Sequence, residues 1–202
     1  GKSVICLFES IEIFENIGIS GVTGTITLID TDGAEGEESF FEANDIQFCE
    51  PIEFNFTNGL DQTLTFKGKL NNLRSEVYNT PKRIYTIDFV SESVHKNEMI
   101  FVHKKYTDQT PNNIIIDMVQ LLEGKVSVMS DGNGMTFLGS NRKPFQIIKY
   151  VVNHAITEDS DVTNDEKNTE QQASGGGGFM FWETVEGLRF CPTDELLKNN
   201  TA

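Results

Sequence analysis

Residues 52–70 read IEFNFTNGLDQTLTFKGKL and contain two runs in which apolar and polar side chains alternate. Alternation of this kind places the apolar side chains of a β-strand on one face. Runs rich in β-branched or aromatic residues also occupy 11–15, 24–30 and 84–90. Because turn-forming residues separate these runs, residues 1–95 are predicted to form a β-barrel or β-sandwich.

The chain changes character after residue 95. Thr110 followed by Pro111 is typical of a helix N-terminus, and Gly124 suits the C-terminus of the same helix. A second helix is predicted to begin near Pro144, and a short strand and the flexible loop 131–134 are predicted between the two helices. The predicted fold class is therefore α+β, mostly β, with an α/β insertion at 96–178.

Residues 157–178 are rich in acidic side chains and end in four consecutive glycines. Such a segment buries too little apolar surface to offset its ordering entropy, so a mobile loop is predicted. The aromatic run 179–183 and the run 188–191 predict a β-hairpin in which Gly187 relieves the turn. Residues 179–202 are thus predicted to hold this hairpin and the start of a following segment, which could begin a helix.

Acidic residues dominate the charge, with 31 Asp and Glu against 16 Lys and Arg and a formal net charge of -15. This balance opposes nonspecific binding to nucleic acid, which needs cations that face phosphates. The acidic charge is still compatible with a protein surface along which DNA moves without binding. No apolar run approaches the roughly 20 residues of a membrane helix, and the first apolar stretch is too short for a signal peptide.

The sequence predicts no metal, cofactor or catalytic residue. His95, His103 and His154 have no partner at metal-ligand spacing. The three cysteines are odd in number and widely spaced, which predicts buried free thiols rather than disulfides or a zinc site; they are Cys6, Cys49 and Cys191. Residues 18–22 miss the GxSxG pattern of a nucleophile elbow by one position, and no phosphate-binding glycine motif is present.

Two groups of carboxylates are candidate sites. The segment from Asp30 to Glu38 offers the clustered oxygens that calcium prefers, but it lacks EF-hand spacing and is equally consistent with an exposed acidic loop. Glu183 and Glu186 could be imagined as an acid/base pair. A hairpin with acids at its tip is the preferred interpretation, so no enzyme activity is predicted.

Four segments, taken in their order along the chain, resemble a known family. Residues 10–16 followed by 21–30 are similar to the opening of central baseplate hub subunits of contractile-tailed, T-even-like bacteriophages. Residues 143–150 resemble the helix opening after the inserted domain of these proteins, and 178–190 resemble their aromatic hairpin. Residues 106–122 also resemble a helix of the hub part of type VI secretion spike proteins. The acidic segment 158–178 is longer than the family pattern, and the chain stops where such hubs continue into a second barrel.

This resemblance implies a tail-tube-like barrel in residues 1–95 and a structural, non-enzymatic role. It implies a homotrimer whose ring joins the tail tube, or tube-initiator proteins, to the spike protein. DNA would pass through the channel of this ring without specific binding. The expected location is the baseplate of the virion, assembled in the host cytoplasm and without membrane contact.

Two other functions stay open. A β-rich receptor-binding or adhesion module of a tail would show an exposed aromatic groove. A tail-associated hydrolase would show turnover that is lost on mutation of Glu183 or Glu186.

Overall fold

The computed structural model describes residues 8–18, 20–30, 44–57, 59–61, 63–78, 82–157 and 178–198. These residues are mostly β with a few helices, which confirms the predicted fold class. The chain forms two compact units. The first comprises Gly1–Asn16 and Gly21–His95, and the second comprises Ile17–Ser20 and Lys96–Ala202.

The first unit contains a five-stranded antiparallel sheet that curls into a half-barrel. Its strands are β1 (Phe8–Phe14), β2 (Thr23–Asp30), β3 (Pro51–Thr57), β4 (Thr63–Tyr78) and β5 (Lys82–Ser91), arranged in the order β1-β2-β5-β4-β3. All five predicted runs form strands. The strand β4 continues well beyond the predicted end at Leu70, with a bulge between Leu70 and Asn72.

One face of this sheet is apolar, as the alternation predicts. It carries the buried side chains Ile26, Leu28, Phe66, Leu70, Tyr85, Ile87 and Phe89. The ring of Phe89 lies over Gly24, its cross-strand partner. A Cβ atom on Gly24 would lie 2.3 Å from that ring and 2.4 Å from the carbonyl oxygen of Glu12, so only glycine permits this close packing.

The second unit contains two smaller sheets and most of the helical residues. Its elements run from the end of α1 (Glu92–Met99) through β6 (Val102–Gln109), α2 (Pro111–Leu121), β7 (Val126–Val128), β8 (Met135–Arg142), α3 (Pro144–His154), β9 (Phe179–Thr184) and β10 (Gly187–Pro192) to α4 (Thr193–Lys198). One sheet has the order β7-β10-β9, and β6 pairs with β8 in an antiparallel ribbon. Both predicted helices, the hairpin and the short C-terminal helix are confirmed.

The core of the second unit lies between α2, α3 and the β9–β10 hairpin. Its fully buried side chains include Tyr106, Ile114, Ile115, Met118, Val119, Ile147, Ile148, Val151 and Phe190. These positions recur at helical spacing in α2 and α3 and alternate in β9 and β10, so each element presents one apolar face to the same core.

Three elements were not predicted: α1, β6 and one of the two strands β7 and β8, because a single short strand was expected between the two helices. The strand β6 buries only Val102 and Tyr106 firmly, so its sequence shows little alternation. The helical interpretation of residues 106–122 is wrong at its start, because Tyr106 lies in β6 and the helix begins at Pro111. The predicted mobile loop at 157–178 falls outside the described residues apart from its two ends, Thr157 and Gly178.

Candidate assembly surface

The polar face of the five-stranded sheet is organised by one carboxylate. Asp88 on β5 accepts hydrogen bonds from Thr25 Oγ1 at 3.1 Å and from Asn72 Nδ2 at 3.1 Å. The guanidinium of Arg74 donates to both oxygens of Asp88 at 3.0 Å. The Asp88 side chain is 27% exposed, so these bonds link β2, β5 and β4 beside solvent. Charge-assisted bonds of this kind are stronger than neutral ones and fix the polar face.

This network was not predicted from the sequence. Thr25, Asp88 and Asn72 are far apart in the chain, and cross-strand pairing aligns them. The alignment of Asn72 and Arg74 with Asp88 also depends on the bulge after Leu70, which shifts the later part of β4 by one residue. A bulge has no reliable signature in a single sequence, so the network could only be found in the structure.

Towards β3, the same face carries hydroxyl, amide and ion pairs. Thr65 Oγ1 donates to Asn55 Oδ1 at 2.8 Å, and Lys67 Nζ lies 3.6 Å from Glu53 Oε2. Among the residues whose side chains the structure describes, cross-strand register places three cations and four acids on this face, namely Lys67, Lys69, Arg74, Glu12, Glu53, Glu76 and Asp88. The described part of the face is therefore nearly neutral, although the whole chain carries -15.

The two outer strands of the sheet, β1 and β3, are open. Within the described ranges, β1 pairs only with β2, and β3 pairs only with β4. Phe8 and Phe14 on β1 are 46% and 54% exposed. An open edge presents unpaired backbone N–H and C=O groups and is a ready site for pairing with another strand.

The second unit contains a row of aromatic rings. Tyr106 stacks on Phe137 at 4.7 Å, Phe137 meets Tyr150 at 4.6 Å, and Tyr150 stacks on His154 at 4.1 Å between ring centroids. Burial raises the pKa of the Tyr106 phenol, and the charge of Asp117 adds to this effect. Tyr106 also donates to Met118 Sδ at 3.8 Å, so the row begins in the packed core and ends at the exposed His154.

Most of the candidate metal ligands lie in the described ranges, namely His95, His103, His154, Cys49 and Cys191. In the part of the chain that the structure describes, no group of three His, Cys, Asp or Glu residues could hold a metal ion. His103 Nδ1 accepts the backbone N–H of Asn141 at 3.3 Å. Of the segment 30–38, only Asp30 is described, and it is buried.

The prediction of buried thiols is wrong for Cys49. This residue is exposed, in a loop before β3 with a φ of 67°. Cys191 is buried on β10, as expected, and burial raises the pKa of its thiol. Cys6 lies outside the described residues. Hydrophobic alternation gives no information on whether Cys49 is buried, because neither residue two positions away, Gln47 or Pro51, continues an alternating apolar pattern.

Glu183 and Glu186 occupy different surroundings. Glu183 is buried at the end of β9, whereas Glu186 is exposed in the hairpin turn. Arg189 Nη2 donates to Glu186 Oε2 at 2.5 Å, and Thr184 Oγ1 donates to the carbonyl of Gly187 at 3.1 Å. These contacts are those of a hairpin turn held by its own polar side chains.

Comparisons with known proteins identify no family for this chain. No family model matches it, and no curated protein matches it. Among solved structures it is similar to the E. coli c3393 protein, a component of the type VI secretion system that exhibits structural similarity to the T4 bacteriophage tail proteins gp27 and gp5. The identity is 10% and the TM-score is 0.49, with 91% of this chain and 49% of that chain covered.

The chain therefore spans about half the length of that solved structure. None of the helices in the described ranges has the length and apolar character needed to cross a membrane.

Proposed function

We propose that this protein is a structural subunit of the central baseplate hub of a contractile tail or a related injection apparatus. The observation that carries the proposal is the five-stranded sheet, which has one apolar face, one polar face and two open edges among the described residues. A sheet of this kind is suited to continue into neighbouring subunits, because a closed ring leaves no strand edge unpaired. The ordered resemblance of four sequence segments to hub subunits adds support.

In this proposal residues 1–95 form the tube-type domain, residues 96–178 form an insertion, and residues 179–202 form a hairpin and a following segment. Three copies build a ring between the tail tube, or its initiator proteins, and the spike. The ring forms in the virion or secretion machine, and DNA or another cargo passes through its channel. No catalytic step is part of this role.

The near-neutral polar face bears on how a channel lined by this sheet would pass DNA. An acidic lumen would repel phosphate, but the described acids of this face are almost balanced by Lys67, Lys69 and Arg74. Five of the 31 acidic residues lie in 31–43 and six lie in 158–177, outside the described residues. If the polar face lines the channel, hydroxyl and amide groups rather than net negative charge prevent DNA from sticking.

The test is native mass spectrometry with negative-stain imaging, with and without the spike protein. We expect a threefold particle, and hydrogen exchange should show protection of the β1 and β3 backbone amides that is lost on dilution to monomer. A compact monomer in which the chain itself caps both edges would contradict the proposal. Turnover in a cell-wall degradation assay that is lost in Glu183→Gln would revive the hydrolase alternative.

A further inference from the structure

The outer edge of β1 carries acidic side chains. Glu12 is exposed on the polar face of the sheet, while Ile11 and Ile13 are half-buried at the margin of its apolar face. Glu9 is also exposed, and no Lys or Arg occurs between residues 8 and 30. The neighbouring strand β2 offers only threonines beside Glu12, so the described edge is acidic and uncompensated.

Six strands lie at the edges of the three sheets in the described ranges, namely β1, β3, β6, β7, β8 and β9. Pairing β1 with β1 or β3 of a second copy would bring carboxylates together, since β3 carries Glu53. Like charges in facing strands destabilise a sheet. The strand β7 has only three residues, and the single charged residue of β9 is an acid, Glu183.

The edge strand β6 has the complementary charge. It is eight residues long, close to the seven of β1, and its regular part carries the adjacent pair Lys104 and Lys105. Its one acid, Asp108, lies beyond the regular part, where the register shifts between Tyr106 and Gln109. Lys104 binds Asp117 at 2.5 Å, but Lys105 is exposed and has no ion pair among the described residues. The other positive edge strand, β8, has its cation Arg142 at its end, 5.6 Å from the Tyr150 ring centroid.

The faces of the two strands also correspond. Lys105 lies on the side of β6 opposite the buried Tyr106, just as Glu12 lies on the side of β1 opposite Ile11 and Ile13. Joining the edges with their core sides together places Lys105 beside Glu12 on one side. On the other side the half-buried Ile11 and Ile13 of β1 come next to the core side of β6. The regular part of each strand provides four or five residues for backbone pairing.

We infer that β1 of one copy pairs edge to edge with β6 of a second copy, and that Glu12 and Lys105 form the ion pair that selects this register. This inference rests on the proposed trimer and names the contact that closes it. A contact between different patches is head-to-tail, and such contacts generate rings when the rotation closes. Backbone hydrogen bonds supply affinity, and the charges exclude the β1–β1 and β1–β3 alternatives.

A charge exchange tests the inference on the full chain. Dissociation constants for self-association are measured by native mass spectrometry and sedimentation for the wild type, Glu12→Lys, Lys105→Glu and the double variant. We expect each single variant to weaken self-association by about tenfold or more and the double variant to recover to within about threefold of the wild type. The matched control Lys149→Glu, on the exposed side of α3, should leave the constant unchanged.

Circular dichroism and thermal unfolding confirm that each variant is folded before its association is interpreted. Recovery in the double variant cannot arise from a folding defect. Wild-type association that is unchanged in either single variant, or a double variant as weak as the singles, overturns the pairing. A threefold particle that persists in Glu12→Lys refutes this contact alone, whereas a wild type that stays monomeric with its spike refutes the proposed ring as well.

Discussion

At the residue scale, the end of α2 shows that the left-handed backbone conformation of a helix C-terminus is not always taken by the neighbouring glycine. The helix ends in a Schellman arrangement, in which Gly124 N–H donates to Val119 O and Glu123 N–H donates to Gln120 O, both at 3.0 Å. The left-handed residue of this motif is Glu123, with a φ of 54°, and not Gly124. A Cβ atom on Gly124 would lie 3.0 Å from Leu188, so that glycine serves close packing.

Replacing Glu123 by glycine should therefore stabilise the protein. A left-handed φ strains any residue with a Cβ atom, and glycine removes that strain at the position where helices most often use it. The exposed ion pair of Glu123 with Lys96 at 2.6 Å is lost, but such pairs contribute little. We expect thermal unfolding of Glu123→Gly to occur about 2 °C higher. The control Glu123→Ala keeps the strain and loses the ion pair, and an equal rise in that variant would contradict the explanation.

The two described thiols should differ in reactivity. The thiolate is the nucleophile, and burial raises the pKa of Cys191 while Cys49 is exposed. In a Cys6→Ser background, a chromogenic disulfide reagent at pH 8 should modify Cys49 quickly and Cys191 on the order of 100-fold more slowly, at the rate of local opening. Cys49→Ser should abolish the fast phase. Two thiols that react at one rate would show that the β10 region is not packed as described.

At the element scale, α2 and α3 obtain their N-terminal caps from distant residues. In both helices a proline occupies the first turn, and the side chain of the N-cap residue does not bond to the helix N–H groups that follow it. Instead, Asp131 Oδ1 accepts the N–H of Asn112 at 3.2 Å, and Asn97 Oδ1 accepts the N–H of Phe145 at 2.8 Å. Each helix start is thus fixed to another part of the second unit.

This arrangement predicts that two substitutions of residues that lie near the start of α2 will have different effects on the free energy of unfolding. Asp131→Ala removes the cap and should lower the free energy of unfolding by about 1 kcal/mol, the usual cost of a lost N-cap. Thr110→Val should be neutral or slightly stabilising, because Thr110 Oγ1 is buried without a hydrogen-bond partner among the described residues. Urea denaturation measures both. A Thr110→Val loss as large as that of Asp131→Ala would return the capping role to Thr110.

The same contrast explains how much of the structure could be predicted. Strands such as β3 and helices such as α3 follow from alternation and periodicity within ten residues, so the sequence predicts them. The Asp131 and Asn97 caps, the Asp88 network and the exposure of Cys49 depend on contacts between residues far apart in the chain or on a bulge. No local pattern encodes such contacts. The candidate edges β1 and β6 are an intermediate case, because β1 was predicted and β6 was too polar to be recognised.

At the scale of the whole molecule, charge is unevenly distributed. Eleven of the 31 acidic residues lie in 31–43 and 158–177, where Lys167 is the only cation. The described units therefore carry a smaller net charge than the chain as a whole, and their ion pairs are exposed ones such as Lys67 with Glu53. Exposed pairs contribute little, so repulsion among excess acids is the larger electrostatic effect on folding.

Salt should consequently stabilise the protein. At 0.5 M ionic strength the Debye length falls to about 4 Å, so repulsion between exposed acids is screened. We expect the unfolding temperature to rise by about 2–5 °C between 0.05 M and 0.5 M NaCl at one fixed protein concentration. A variant with the six acids of 158–177 changed to their amides should start higher and show a smaller rise. An unfolding temperature that falls with salt would mean that ion pairs such as Lys104 with Asp117, and not self-repulsion, dominate the electrostatic contribution to stability.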